Sequence, residues 1–277
     1  MKIGVIGYEG RLGSQLAYDG CEPIDYDITS QKKLDGDWEV IINCAAYSDV
    51  DGAEDKKNYW EAIEVNGKGV DYLAQAYKGE IIHISTDYVF GGKRGPYDEK
   101  YRKEDDLPTR SMAYAVSKFM GEMYATLHDN IYIVRTTGLY GGISGKHDFV
   151  KMVLNSFAKN SSEIKITKSL HSNQTYIPHL SEALIMCAET KQKPKFLHIA
   201  SKEVVSRYEF AMMIATVFDL DKDRLVPVRS AQVPGWIAER PKKAGLKVAL
   251  AQKLGLPIYT IMEGLEEYKN ETRTMDS

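Results

Sequence analysis

A doubly wound parallel α/β sheet with a small C-terminal α/β lobe is the fold this sequence predicts, on three observations. Four short, almost continuously apolar runs, residues 2–6, 40–44, 81–85 and 131–135, read as strands covered on both faces. Helical periodicity over residues 59–77 and 111–128 lies between them. The first run breaks abruptly into closely spaced glycines. Strand–helix alternation of this kind requires parallel pairing through right-handed crossovers.

The remaining elements follow in order. Residues 21–25 make an unusually short second strand. Beyond about residue 141 the pattern loosens into a helix at 148–159, a strand at 165–167, a helix at 178–189 and a strand at 196–200. A helix over 206–218 opens on Ser206 and Glu209, the Ser-x-x-Glu spacing of a capping box. Glycine and proline make 226–245 irregular, and terminal helices are expected at 246–254 and 261–268. The expected division is a Rossmann-type domain over 1–145 and a lobe over 146–277 intertwined with it, with ligands between them.

The 277 residues are 43% apolar and 27% charged, ordinary for a core-forming chain. A net charge of -3 with dispersed Lys and Arg gives no footprint for nucleic acid or an anionic membrane. Cys21, Cys44 and Cys187 are isolated, and the six histidines show no metal-ligand spacing, so no metal site is expected. Residues 1–20 lack a signal peptide's apolar core, and no run approaches the length of a membrane span. A cytoplasmic monomer or homodimer is the expectation.

The first strand runs into GYEGRLG (7–13) and then a helical pattern. Glycines there permit a tight turn and let free helix N–H groups face a pyrophosphate. The spacing is GxxGxxG rather than GxGxxG, and its place between strand and helix carries the weight. Asp25 or Asp27 is the acid expected near the adenosine ribose. Arg11 can reach a 2′-phosphate, so the cofactor is taken as NADP, with NAD still open.

Tyr114 and Lys118 lie four apart in a helical segment, which puts phenol and ammonium on one face. The ammonium and an oxidised nicotinamide both favour phenolate, so a lowered tyrosine pKa is expected. Thr86 ends the third apolar run, where a strand's carboxyl end opens into the crevice. A hydroxyl there can hold a carbonyl oxygen for protonation by Tyr114 as hydride reaches the carbon. Elsewhere, His83 reads as a core or crevice polar group. The acidic cluster Asp49, Asp51, Glu54 and Asp55 reads as a helix N-terminal complement, and Trp60 and Trp236 as packing residues.

With those residues in place the chain resembles the extended short-chain dehydrogenase/reductases, and within them the dTDP-4-dehydrorhamnose reductase (RmlD-like) family. The matching segments are GYEGRLG (7–13), DIT (27–29), NCAAYSDVDGAE (43–54), VNGKGVDYLA (65–74), STDYVFGG (85–92), YAVSK (114–118) and RTTGLYG (135–141), with TYIPHL (175–180) and RPKKAGL (240–246) fainter. The resemblance implies Thr86, Tyr114 and Lys118 as catalytic residues. It implies Gly7, Gly10, Arg11, Leu12, Gly13, Asp27, Ile28, Ala45, Ala46, Tyr47 and Asn66 around the cofactor, and Asp87, Val89 and Arg240 near the substrate. The implied reaction is hydride transfer from NAD(P)H to the 4-keto group of a nucleotide-linked 6-deoxy sugar. Related dehydratases carry Asp-Glu after the strand hydroxyl; Asp87-Tyr88 stands here, which favours a reductase. An epimerase or dehydratase, and a non-catalytic NAD(P)-binding regulatory subunit, are the alternatives. Gly138, Ser169-Leu170, Gln174, His179 and Ala244 depart from the family pattern on the substrate side, so a changed sugar or nucleotide is expected.

Overall fold

The computed structural model describes residues 1–101, 104–109, 112–159, 162–229 and 236–275. In chain order the elements are β1 (Ile3–Ile6), α1 (Arg11–Tyr18), β2 (Glu22–Ile24), β3 (Val40–Asn43), α2 (Lys56–Ile63), α3 (Gly69–Ala76), β4 (Glu80–Thr86), α4 (Ala113–Ala125) and β5 (Ile131–Thr136). Then come α5 (Phe149–Ala158), β6 (Ile164–Thr167), β7 (His171–Ser172), α6 (Ile177–Glu189), β8 (Phe196–His198), β9 (Val205–Ser206), α7 (Arg207–Val217), β10 (Leu225–Val228), α8 (Ala249–Lys253) and α9 (Ile261–Met275). Residue 111, where the catalytic helix was expected to begin, and residues 230–235 of the irregular segment lie outside the described residues.

Six strands pair in parallel in the order β2-β1-β3-β4-β5-β8. The period-2 alternation of side chains explains why both sheet faces are apolar. Val5, Ile42, Ile82 and Val134 pack on one face against Leu12 and Leu16 of α1 and Leu180 and Leu184 of α6. Ile6, Ile41, Ile81 and Ile133 pack on the other against Val70 and Leu73 of α3 and Ala125 of α4. The sixth strand therefore comes from beyond residue 145, so both halves of the chain build one sheet. A second core gathers Val150 and Phe157 of α5, Phe210 and Ile214 of α7, and Ile261 and Leu265 of α9.

Five details differ from the sequence expectation. The segment 225–228 is a strand pairing in parallel with β6, not irregular chain. Its alternating leucine and valines were masked by the proline between them. The helix expected over 246–254 is only the five residues of α8, whereas the last helix runs to Met275. The two-stranded antiparallel pair β7–β9 was not anticipated, because two-residue strands leave no periodicity to read. The long helical stretch 59–77 is realised as α2 and α3 joined through a π-helical turn, Glu64–Lys68. The capping box is present: Ser206 Oγ accepts from the Glu209 N–H at 3.1 Å and Glu209 Oε2 from the Ser206 N–H at 2.7 Å.

Candidate active site

The carboxyl ends of β1, β3, β4 and β5 open onto a cleft of about 450 Å³. At one end lies the glycine turn. Gly10 donates to the Gly7 carbonyl at 3.0 Å, and α1 begins at Arg11 with no side chain capping its free N–H groups. A Cβ at Gly13 would stand 2.2 Å from Gly7 O, so the helix reaches this close to the strand only because residue 13 has no side chain. Gly10, Arg11, Leu12 and Gly13 line the cleft, which gives an anion a positive helix end to approach.

Thr86, at the end of β4, and Tyr114 and Lys118, one turn apart on α4, share the cleft's central wall. The Thr86 hydroxyl lies close enough to the Tyr114 phenol to favour its ionised form. Thr86 Oγ1 in turn donates to Asp87 Oδ1 at 3.3 Å and accepts from the Tyr88 N–H at 3.3 Å. The Tyr88 ring meets that of Tyr114 edge-on, with centroids 5.8 Å apart. Lys118 Nζ donates to the Ile84 carbonyl at 2.7 Å. Burial draws the ammonium down to about 8, opposed by the charge of Glu122.

The phenol is not lowered in the protein alone. Burial pushes Tyr114 well above the ordinary tyrosine value, and Tyr88 and Asp87 add to the rise, while Thr86 and Arg11 act the other way. Desolvation outweighs the nearby cations because a phenolate in a dry wall loses its hydration. The consequence is a phenol that stays protonated at neutral pH, the state a proton donor needs.

Several residues expected around the cofactor hold the site from behind. Asn66 is fully buried on the π turn; it accepts from the Tyr47 N–H and donates to the Tyr47 carbonyl, each at 2.9 Å, and donates to Ser117 Oγ at 2.9 Å. It thus ties the 45–47 loop to the helix that carries Tyr114. Ala46 lines the cleft, whereas Gly7, Ala45 and Tyr47 do not. Ile28 is core, and exposed Asp27 accepts from the Thr29 N–H and hydroxyl at 2.9 and 2.7 Å, closing its own turn. Arg11 Nη1 donates to the Leu139 carbonyl at 3.0 Å, across the cleft mouth.

The residues expected near the substrate lie outside the cleft lining. Val89 belongs to the core. Asp87 is fully buried and accepts from the Gly245 N–H at 3.3 Å; burial lifts its carboxyl to about 6, with Thr137, Gly245 and Thr86 opposing. Arg240 pairs with Asp51 at 2.5 Å and rests on the Trp236 ring, 4.4 Å from its centroid. Asp51 also accepts from the Ile237 and Ala238 N–H groups at 2.8 and 2.9 Å, and its carboxyl is held far below the usual range. The acidic cluster therefore divides. Asp55 caps α2, Glu54 accepts from the Ala113 N–H at the start of α4 at 2.7 Å, and Asp51 binds the C-terminal half.

Of the departures on the substrate side, Gly138 and Gln174 reach the cleft. Gly138 has φ +63° and a Cβ there would meet the Asn173 carbonyl at 2.1 Å, so this backbone admits no larger residue. His179 bonds Glu267 at 2.8 Å and stacks on Tyr259, and Ala244 donates through its backbone to the His171 carbonyl at 3.1 Å; both are joints of the fold. Sequence reasoning missed Arg207 and Phe149 in the cleft wall and Glu122 beneath it. Glu122 accepts from Arg135 Nη2 at 2.6 Å and from Ser85 Oγ at 2.6 Å, one turn past Lys118. Its i, i+4 place after Lys118 was the available signal. His83 bonds Asn43 at 3.2 Å in the core, and burial holds it well below the usual histidine value. Among the described residues there is no cluster able to hold a metal ion.

Comparison with known proteins agrees with this geometry. A dTDP-4-dehydrorhamnose reductase of Mycobacterium tuberculosis is 34% identical over 84% of this chain and 81% of its own length. The methionine adenosyltransferase 2 subunit beta of Bos taurus is 28% identical over 78% of this chain and 65% of its own. Among solved structures, a dTDP-4-dehydrorhamnose reductase from Clostridium acetobutylicum superposes with a TM-score of 0.84 at 28% identity, covering 99% of this chain and all of its own. That of Bacillus anthracis, in complex with NADP, gives 0.83 at 28% identity over 98% of this chain and all of its own. The model of the RmlD substrate binding domain matches residues 1–274, and the chain belongs to that family.

Proposed function

We propose that this protein is an NADPH-dependent reductase of the 4-keto group of a nucleotide-linked 6-deoxy sugar, with NAD the other cofactor to test. One observation carries the reading: Thr86, Tyr114 and Lys118 meet on one wall of a cleft whose far end is an uncapped glycine turn. The relatives named dTDP-4-dehydrorhamnose reductase and the NADP complex among them support it. The turn fits a dinucleotide because Gly13 allows close backbone approach and the first N–H groups of α1 face the cleft. When bound, the nicotinamide supplies the hydride. Thr86 orients the carbonyl oxygen, Tyr114 donates its proton to that oxygen, and Lys118 fixes the ribose side of the wall and supplies positive charge. Asp87 and Asn66 hold Thr86 and the 45–47 loop in position.

The test is NADPH oxidation with dTDP-, UDP-, GDP- and CDP-linked 4-keto sugars, comparing the native protein with Tyr114→Phe. The native protein is expected to oxidise one equivalent per sugar. The variant should keep its NADPH affinity and lose turnover by about 10²–10⁴-fold, the usual range for a removed general acid. Undiminished turnover in Tyr114→Phe would sink the assignment. NADPH binding without turnover on any of these sugars would favour the regulatory-subunit reading instead.

A further inference from the structure

A nucleotide-linked sugar brings a diphosphate into the cleft, and that charge needs a cation on the substrate side. Arg11 belongs to the glycine turn, and Lys146, also in the wall, donates to the Glu9 carbonyl beside it at 2.7 Å. Arg240, expected near the substrate, is held by both oxygens of Asp51, at 2.8 and 2.5 Å, and does not line the cleft. Lys118 is committed to the Ile84 carbonyl beneath Tyr114. Arg207 remains.

Arg207 is the first residue of α7, and its side chain forms part of the cleft wall together with Phe149, Tyr88 and Gln174. Its guanidinium lies 4.9 Å from the Phe149 ring centroid and 5.8 Å from that of Trp236. Two aromatic faces of this kind restrict the plane of a guanidinium while leaving its N–H edge open. Among the described residues, no carboxylate stands within ion-pair distance of Arg207. The nearby Asp87 acts on it only through its field and spends its own oxygens on Thr86 and Gly245. Desolvation in the cleft pulls the Arg207 pKa down and the charge of Arg240 acts the same way, with Tyr88 and Asp87 opposing. A half-buried, always-charged guanidinium in a cleft wall, with no counter-ion among the described residues, is a ready partner for an anionic ligand.

We infer that Arg207 is the anchor for the diphosphate of the substrate, the role that Asp51 denies to Arg240. This rests on the reductase reading for the identity of the substrate, but the anion site is testable without turnover. The constraint at Gly138 belongs to the same arrangement, since the wall that admits no side chain there borders the space that Arg207 faces.

The experiment is titration calorimetry on the full chain saturated with NADP⁺, using dTDP, UDP, GDP, CDP, thymidine and inorganic pyrophosphate. Native protein is compared with Arg207→Met, Arg207→Lys and Arg240→Met. At least one nucleoside diphosphate should bind the native protein. Arg207→Met should weaken it about 10- to 100-fold, the range for one charged hydrogen-bonding contact, and Arg207→Lys should recover part of the loss. Thymidine affinity and NADP⁺ affinity should not change, and Arg240→Met should matter less than Arg207→Met. Equal diphosphate affinity in native and Arg207→Met protein would overturn the proposal. So would a parallel fall in NADP⁺ affinity, which would place Arg207 at the cofactor, or no binding of any diphosphate or pyrophosphate by the native protein. If no 4-keto sugar is reduced yet diphosphate affinity still depends on Arg207, the reductase reading fails and the anchor stands. Native-like urea midpoints for the Lys variant separate lost contact from lost fold.

Discussion

Burial acts on the ionisable groups around the cleft in opposite directions. It lifts Asp87 to about 6, draws Lys118 down to about 8 and keeps the Tyr114 phenol protonated. Each shift disfavours the charged form, because a dry wall withdraws hydration from whichever state carries charge. For Asp87 the sign of the stability effect follows directly. Its folded value lies above the ordinary 3.8, so between the two the folded chain binds the proton more tightly than the unfolded one. The stability it contributes is full below about pH 4 and is lost as pH rises through about 6. Asp87→Asn is neutral throughout and keeps an oxygen for the Gly245 N–H. Its Tm relative to the native protein is therefore expected to climb between about pH 4 and pH 7, read by scanning calorimetry. A difference that stays flat with pH would mean the carboxyl is already charged across that range. The sequence placed Tyr114, Lys118 and Thr86 correctly on α4 and β4, since one helical turn and one strand end are local facts. The lowering expected from the ammonium and an oxidised nicotinamide together is not present in the chain alone, where desolvation, which depends on what covers the ring from elsewhere, raises the phenol.

At the scale of elements, the π turn between α2 and α3 is the least ordinary feature. An extra residue in a helical turn re-aims the side chains that follow, and here it brings Asn66 to Tyr47 on one side and Ser117 on the other. Three hydrogen bonds end on that one fully buried amide. Asn66→Ala should therefore cost about 3 kcal/mol in urea unfolding, and NADPH affinity should fall with it as the 45–47 loop loosens. A loss in stability below about 0.5 kcal/mol, within the range of an ordinary surface change, would show that the strap carries no weight. Helical periodicity made the segment legible as helix but was silent on the π turn, because one added residue leaves an apolar stripe nearly unbroken. The capping box at Ser206 and Glu209 was legible for the opposite reason: both partners lie within one turn and satisfy the helix end by themselves.

Across the whole molecule, the cleft is made by chain segments that meet from both halves. The parallel strands bring the glycine turn, Thr86 and Gly138 to one edge, and α5 and α7 supply Phe149 and Arg207 opposite. Asp51 reaches across to Arg240 and to the 237–238 backbone, fastening the two sides. A ligand that binds this folded cleft and not the unfolded chain stabilises by mass action. NADPH at about 100 times its Kd should add about 2.7 kcal/mol and raise Tm by roughly 5–10 °C for a chain of this size. The same scan with NADH reads the cofactor preference, and no shift with either would remove the dinucleotide from the proposed function.

What the sequence by itself determined is the parallel sheet, the glycine turn and the Tyr114–Lys118 face, each written in neighbouring residues through strand period, helix period and backbone freedom. Only the tertiary structure decided which charges are spent and which are left. Asp51 takes Arg240 from 189 positions away, whereas Arg207 meets two aromatic rings and pairs with no acid among the described residues. Pairing between distant charges depends on how the chain closes in space, and no local periodicity records it.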